Sequence, residues 1–542
     1  MDWPSGPGIP WPEIKGPGLK PYRFEHDFRG MNAPAPSDGT NNGKGIHLFC
    51  REFVERLKCV GPGSPCDDRG GCGIRFRMSH RSVFFAAIIA AVLFAVTQLP
   101  AQGQNQVAPT PPLGWNSWDA YGLTIDETDY KANAAVLAGL RRYGWEYAVI
   151  DEGWYMENPF ADKVETRKYV WDGNGILIPA VSRFPSSAGG AGFKPLADWV
   201  HGKGLKFGIH IVRGIPRQVV NENLPIAGTS FHAVDAADRS SPCPWDEGNW
   251  GVADNAAGQA YYDSMLKKYA GWGLDFIKVD CISDHPYRPT EIRQIAQAIR
   301  NTGRPIVLSL SPGPTAVEHG DEVGEYAQMW RITDDHWDVW TAEHKSGAGE
   351  FPFGVRDAFD RLAKWVPYVK PGNWPDDDML PWGWLGPHPG WGEPRQSRET
   401  KDEQRTEFTL WAMTRSPLIL GANLTRLDEF TRSLITNQTL LFIDQASSFS
   451  RPVDAASLGA GFENARVWRA TINEAGARGY AEYFAFFNLG DAPVTLRTTW
   501  NQLGLAGNKH QAEDVFTETT GKESKEVSVT LPAHGSTVFE VK

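Results

Sequence analysis

The stretch Leu274 to Cys281, L-D-F-I-K-V-D-C, is an apolar run that ends in Lys278, Asp280 and Cys281. An apolar strand broken at its C-terminal end by ionisable side chains is how a buried barrel strand delivers chemistry to a site. Further along, Arg331 is followed by the adjacent acids Asp334 and Asp335, and Asp151 and Glu152 close a similar apolar run from Tyr147. Two carboxylates on nearby strands can divide a displacement at an acetal carbon. One attacks, and the other protonates the departing oxygen and then activates water; the retaining form needs them roughly 5 Å apart. Asp280 is the candidate nucleophile. Lys278, two residues earlier, lies on the same side of a strand, where its charge would keep Asp280 ionised.

The elements that would position these groups recur from Pro111 onward as short apolar strands ending in polar residues, with helical stretches between them. The strand candidates are Leu113 to Trp118, Tyr147 to Asp151, Leu205 to His210, Phe276 to Asp280, Ile306 to Ser311, Met329 to Asp334, a weaker run near Val366 to Val369, and Leu418 to Gly421. Helices such as Asp126 to Tyr143 and Ala257 to Trp272 supply an amphipathic ring. The pattern predicts an α/β fold, a (β/α)8 TIM barrel over 107–445. A doubly wound sheet is the alternative, but no G-x-G-x-x-G loop follows the first strand. Over 446–542 the pattern becomes short alternating stretches: Ala465 to Thr471, Ala481 to Asn488, Ala492 to Thr498, Glu526 to Leu531 and Ser536 to Val541. These predict a C-terminal antiparallel β-sandwich. Polar side chains gather at the proposed strand ends: Asn116, His210, Arg213, Ser311, Asp376 and Asp378 join those above. Any single one of them is more often a cap or turn residue; their recurrence on the face where barrel sites form is the signal.

The 542 residues suffice for at least two domains, and a formal net charge of -11 with no late Lys/Arg block speaks against a nucleic-acid partner. The 22 Trp, 15 Tyr and 27 Phe supply core anchors and flat faces for sugars. Residues 78–103 have the parts of a secretory signal: Arg81, the apolar run Val83 to Val96, and the small-residue end Ala101, Gln102, Gly103. The run is too short for a stable membrane span. The mature protein is therefore expected to be secreted or periplasmic, with Met78 the true start and residues 1–77 disordered or mis-assigned; an N-terminal extension with an internal signal-anchor is the rival. Four cysteines, Cys50, Cys59, Cys66 and Cys72, fall in that leader, in no zinc-ribbon spacing. Cys243 and Cys281 remain and could pair as a disulfide fixing the loop beside Asp280, or stay as buried thiols.

The stretches P-P-L-G-W-N-S-W (Pro111 to Trp118), Y-A-V-I-D-E-G-W (Tyr147 to Trp154), G-L-K-F-G-I-H (Gly204 to His210), D-F-I-K-V-D-C (Asp275 to Cys281), W-R-I-T-D-D (Trp330 to Asp335) and W-P-D-D-D-M-L (Trp374 to Leu380) resemble, in order and spacing, glycoside hydrolase family 27, the α-galactosidase (melibiase) family of clan D. The resemblance runs from about Pro109 to the C-terminus. It implies a retaining double displacement on terminal α-D-galactosyl groups without metal or organic cofactor. It places the nucleophile at Asp280 with Lys278 beside it, a pocket tryptophan at Trp115, a hydroxyl-binding carboxylate at Asp151, the sugar-binding arginine at Arg331, and a further pair at Asp378 and Met379. For the acid/base, counting from Arg331 selects Asp335, whereas the strand-end position selects Asp334, which is preferred here.

Three departures bear on substrate. Glu152 stands where the family has a second aspartate, and its extra methylene would enter the space of the galactose hydroxymethyl group. β-L-Arabinopyranose lacks that group, so β-L-arabinopyranosidase or dual activity is the alternative; one methylene is worth about 1–3 kcal/mol of discrimination. His210 replaces the family's tyrosine after the third strand, to bind sugar or to pair with a neighbouring carboxylate. The stretch S-L-S-P-G-P-T after the fifth lacks the usual acid. The competing classes are a metal-dependent barrel hydrolase, for which no H-x-H or H-E-x-x-H is present, and a non-catalytic sugar-binding protein, which would not need both carboxylates. Oligomeric state is left open.

Overall fold

The computed structural model describes residues 107–541 apart from 162, 347–348, 389–390, 474–479 and 508. The expectations for 1–77 and 78–103, and for the four leader cysteines, lie outside the described residues.

Eight parallel strands form the central sheet: β1 (Leu113–Asn116), β2 (Tyr147–Ile150), β3 (Lys206–Val212), β4 (Phe276–Asp280), β5 (Val307–Leu310), β6 (Met329–Arg331), β7 (Trp374–Asp376) and β8 (Leu418–Leu420). Hydrogen-bonded neighbours run β7-β6-β5-β4-β3-β2-β1-β8. The ring closes where Leu380 N donates to Ile419 O at 2.8 Å and Gly421 N to Leu380 O at 3.0 Å. A principal helix follows each strand: α1 (Glu127–Leu140), α2 (Lys194–Gly202), α3 (Ala256–Trp272), α4 (Pro289–Thr302), α5 (Gly320–Tyr326), α6 (Val355–Trp365), α7 (Lys401–Thr414) and α8 (Gln438–Ala446). Their starts are set locally, by the Asp126 side chain on Asp129 N for α1, Asn255 on Gly258 N for α3, and a Thr400/Glu403 capping box for α7. The chain is thus a (β/α)8 barrel, as expected from sequence.

Alternation along each strand divides the barrel. Outward side chains such as Ala148, Ile150, Ile277, Val279 and Leu308 pack beneath the helices. Inward ones, among them Tyr147, Phe276, Val307, Met329, Trp374 and Ile419, form a separate plug. On β4 the same parity that turns Phe276 inward also turns Lys278 and Asp280 inward, above the plug. The plug needs room. A Cβ at Gly114 would stand 2.5 Å from Tyr147 O, and one at Gly208 2.8 Å from Val149 Cγ2.

The seventh strand departs from expectation. Val366 to Val369 does not form it; Val366–Tyr368 is a 3-10 turn that tightens the end of α6, with Pro367 inside it. The strand is Trp374–Asp376, in parallel register with Met329–Arg331.

Beyond the barrel, β9 (Phe449–Pro452), β10 (Ala465–Asn473), β11 (Tyr480–Asn488), β12 (Val494–Thr499), β13 (Ala512–Asp514), β14 (Thr519–Thr520), β15 (Glu526–Leu531) and β16 (Ser536–Val541) make the C-terminal β-sandwich. Its larger sheet runs β9-β10-β11-β16-β13-β14, and β12 pairs with β15. On β11, Phe484 and Phe486 face the second sheet with Leu496, Trp500 and Leu531. Tyr483, Ala485 and Phe487 face the barrel core. Phe359 of α6 meets Phe487 at 5.0 Å, and Thr406 of α7 donates to His534 O at 2.6 Å.

Candidate active site

The inward side chains at the C-terminal ends of the strands surround a cavity of about 620 Å3, within the range of ~300–1,000 Å3 typical of ligand pockets. Its wall includes Asp151, Glu152, His210, Lys278, Asp280, Arg331, Asp334, Asp335, Asp378 and Met379.

At the floor, Asp151 Oδ2 accepts from Asn116 Nδ2 at 2.7 Å and Lys278 Nζ at 2.9 Å, and its Oδ1 accepts from Glu152 N at 2.8 Å. Burial opposes the charge, but His210, Lys278 and these hydrogen bonds hold Asp151 well below the usual carboxylate range. Lys278 is raised in turn, chiefly by Asp151 and Asp280 against burial. Asp280 accepts from Ser311 Oγ at 2.7 Å and from Cys281 N, and His210 Nε2 stands 3.6 Å from its Oδ2. Burial would raise this carboxyl; His210, Lys278 and Ser311 together hold it below its ordinary value. His210 therefore lies between Asp280 and, at 4.0 Å, Asp151.

Across the cavity, Arg331 forms an ion pair with Asp378 at 2.8 Å and reaches Asp335 Oδ1 at 3.3 Å. The enclosing walls raise the Asp335 pKa; Arg331 opposes, and Asp378 and Asp280 add to the rise. Half of its side-chain surface still faces the cavity. Burial raises Asp334 as well, but its orientation differs. Its carboxylate turns to the hairpin formed by His344–Ser346 and Gly349–Phe351, accepting from Glu350 N at 3.1 Å. The two adjacent acids thus point differently, Asp334 to the hairpin and Asp335 to Arg331, while both line the cavity with Asp280.

Trp115 is a second correction. It sits at an outward position of β1, fully buried against Tyr130 beneath α1, with Nε1 donating to Ala422 O at 2.8 Å. Trp118, in the turn after β1, lines the cavity instead. Arg213 also leaves the chemistry: it is buried and binds Cys281 O, Ser241 O, Pro242 O and Glu291. Cys243 and Cys281 are joined, with Cα atoms 6.0 Å apart. The bridge ties the loop carrying Trp245 and Asp246 to the residue after Asp280.

Several cavity residues were not anticipated. Arg167, from the long β2–α2 connection, pairs with Asp246 at 3.1 Å and stands 3.8 Å from Glu152. Burial, and then the Asp246 charge, raise Glu152 well above its usual value. Asp119 lines the cavity one residue beyond Trp118, at a spacing that carries no motif of its own. His336, Glu399 and Glu407 bring ligand-type atoms within 4.8 Å of one another, a set whose side-chain types could hold a cation. Trp382 Nε1 already bridges one oxygen of each carboxyl, at 2.9 and 2.7 Å, and burial raises both carboxyl pKa values. Protons can therefore neutralise the group. It abuts the site, since His336 N donates to Asp378 Oδ2 at 2.9 Å.

An inward ring of strand-end carboxylates on a (β/α)8 barrel, with a cationic floor and an apolar-lined mouth, is the architecture of a barrel glycosidase. The family model described as Alpha galactosidase A matches residues 245–446, and that of the Alpha galactosidase C-terminal beta sandwich domain matches 464–541. A GH27 β-L-arabinopyranosidase from Geobacillus stearothermophilus is 40% identical, with TM-score 0.73 over 81% of this chain and 97% of that one. A variant of that enzyme in complex with arabinose gives 40%, 0.74, 82% and 99%. Alpha-galactosidase A of Cellvibrio japonicus is 28% identical over 84% of this chain and 97% of that protein. The chain belongs to glycoside hydrolase family 27. It is a glycoside hydrolase with a carbohydrate substrate.

The buried acids give the fold a pH dependence. Burial, with Asp378, pushes Asp376 up to about 7 despite Arg331. With an unfolded value of about 3.9, the folded state holds the extra proton between these limits. Stability is therefore greatest below pH ~4 for this group and declines as pH rises through 7, by at most about 4 kcal/mol. Urea melts from pH 4 to 8 should show the decline, and Asp376→Asn should flatten it; an unchanged slope in the variant would contradict this account.

Proposed function

We propose that the chain removes terminal β-L-arabinopyranosyl and α-D-galactosyl groups by retaining double displacement, with Asp280 as nucleophile and Asp335 as acid/base. The carrying observation is that the surroundings push the two carboxyls of one cavity in opposite directions. Asp280 is kept ionised by His210, Lys278 and Ser311, while Asp335 is pushed toward its acid form by enclosure and by Asp378 and Asp280. Asp280 attacks the anomeric carbon as Asp335 protonates the leaving oxygen. The Asp335 carboxylate then takes a proton from the water that frees the sugar, restoring both groups. Asp151, Lys278, Arg331 and Asp378 are the groups that grip ring hydroxyls.

Asp335→Asn should lower turnover of unactivated glycosides by roughly 10²–10⁴-fold, remove the alkaline limb of the pH–rate profile, and largely spare dinitrophenyl glycosides. Asp334→Asn should keep both limbs. The reverse pattern would return the role to Asp334.

Glu152 sets the balance between the two sugars. Its carboxyl lines the cavity and is anchored between Arg167 and the β2 end. There the longer side chain takes space that a hydroxymethyl group would need, which supports arabinopyranosides as the preferred substrate and galactosides as the secondary one. Glu152→Asp should shift the ratio of kcat/KM for nitrophenyl β-L-arabinopyranoside over nitrophenyl α-D-galactoside toward the galactoside by about 5–150-fold, the equivalent of 1–3 kcal/mol. An unmoved ratio refutes this role.

The Cys243–Cys281 bridge supports export through the signal-like segment 78–103. Mass spectrometry of secreted enzyme should find a mature N-terminus shortly after Gly103 and a mass two hydrogens below the reduced form. A retained 1–77 peptide would overturn this reading.

A further inference from the structure

One nitrogen of Arg331 faces more acceptors than it has hydrogens. Nη2 carries two N–H bonds, and four oxygens stand around it: Asp334 O at 2.7 Å, Asp378 Oδ2 at 2.8 Å, Thr333 O at 3.1 Å and Asp335 Oδ1 at 3.3 Å. Asp335 is the farthest of the four. How much of the arginine it receives depends on how firmly Asp378 keeps its share, and Asp378 is held from one direction. Its Oδ2 accepts from His336 N at 2.9 Å and its main-chain O from Trp411 Nε1 at 3.1 Å. His336 is in turn held by its ring, with Nε2 3.1 Å from Glu407 Oε1 and 4.0 Å from Glu399 Oε1. Glu407 and Trp411 are four residues apart, on one face of α7, so a single helix face holds both the imidazole and Asp378. The carboxyls of Glu399 and Glu407 are enclosed, share Trp382 Nε1 and hydrogen-bond to each other, which needs a proton between them. Burial keeps the imidazole neutral, and its Nδ1 has no partner among the described residues. The one ring proton therefore belongs on Nε2, donated to Glu407.

We propose that His336 is a positioning residue for the reaction: pinned to Glu407, it keeps Asp378 on Arg331 Nη2 and so keeps that nitrogen from turning fully to Asp335. The charges that face Asp335 are Arg331 from β6, Asp378 beyond β7, Asp280 and Lys278 from β4, His285 from the loop after β4, and Asp119 from the turn after β1. Of these, the Arg331–Asp378 pair is the one that His336 touches. With the pin removed, Arg331 moves toward Asp335 and favours its anion. The acid form that protonates the leaving oxygen is then lost at lower pH. Around the imidazole, the charged groups besides Glu399, Glu407, Asp378 and Arg331 include Asp338. Asp338 is bound separately by Arg395 and Arg398, so the far end of the segment stays anchored when the ring is changed.

The inference rests on the reading of Asp335 as acid/base. It is tested by the pH dependence of kcat/KM for methyl and dinitrophenyl β-L-arabinopyranosides in two variants. His336→Leu keeps bulk but loses the N–H; His336→Gln can set an amide nitrogen where Nε2 stood. In His336→Leu the alkaline limb should move to lower pH by about 0.5 unit or more. Turnover of the methyl glycoside should fall more than that of the dinitrophenyl glycoside, which needs little acid assistance. His336→Gln should restore most of both. A folded His336→Leu with an unmoved limb overturns the inference, as does an equal loss on the two substrates. If His336→Leu does not fold, Glu407→Gln takes its place: there the Trp382 and His336 N–H groups compete for one carboxamide oxygen, and the limb should shift in the same direction. An unmoved limb in that variant is equally fatal. Failure of the underlying reading looks different, because the limb would then survive Asp335→Asn and vanish in Asp334→Asn, which removes both the reading and the role of His336.

Discussion

The ammonium of Lys278 is the charge on which the site depends. It lies in the barrel interior, bonded to Asp151 at 2.9 Å and close enough to Asp280 and Asp378 to be raised by both. Without it, Asp151 and Asp280 would be buried carboxylates with only His210 between them, and burial would drive protons onto them. With it, both acids are held below their ordinary values, Asp151 at the floor and Asp280, the proposed nucleophile, beside it. The position follows from strand parity: on β4, Phe276 completes the plug, and Lys278 and Asp280 stand above it. The residue that seals the barrel and the residues proposed to do the chemistry are successive inward positions of one strand.

Cations at the barrel top are fewer than acids. Arg331 balances Asp378, but Asp119, Asp376, Asp377, Glu399 and Glu407 are buried around it with raised pKa values. These acids are a cost to stability. Their protons keep the total charge low enough that Asp280 can remain an anion. Packing around them is close: a Cβ on Gly421 would stand 1.7 Å from Asp119 Oδ2, so only glycine lets β8 pass that carboxyl.

Much of this was legible in the sequence because it is local. The barrel strands, the sandwich strands and the run into Asp280 are all written as short patterns of apolar and polar residues. Val366 to Val369 misled because an apolar run of that length fits a strand or the tail of a helix, and its place after α6 decides between them. Trp115 misled because motif position does not carry parity; the outward setting of β1 puts it under α1, leaving Trp118 to reach the cavity. The Arg167–Glu152–Asp246 cluster was invisible, since it joins segments distant in sequence through a loop with no periodic signal.

Asp334 and Asp335 show how adjacency can separate functions. β6 ends at Arg331, and the guanidinium of that residue turns back to bind Thr333 O at 3.1 Å and Asp334 O at 2.7 Å. The chain after the strand is thus wound around Arg331. In that tight path, consecutive side chains diverge: Asp334 goes to the hairpin and Asp335 returns to the arginine, facing Asp280. The register of the proposed acid/base is therefore counted from the residue that organises the turn, not from the end of the strand. Counting from Arg331 selects Asp335, which reaches that arginine, and leaves Asp334 bound to the hairpin.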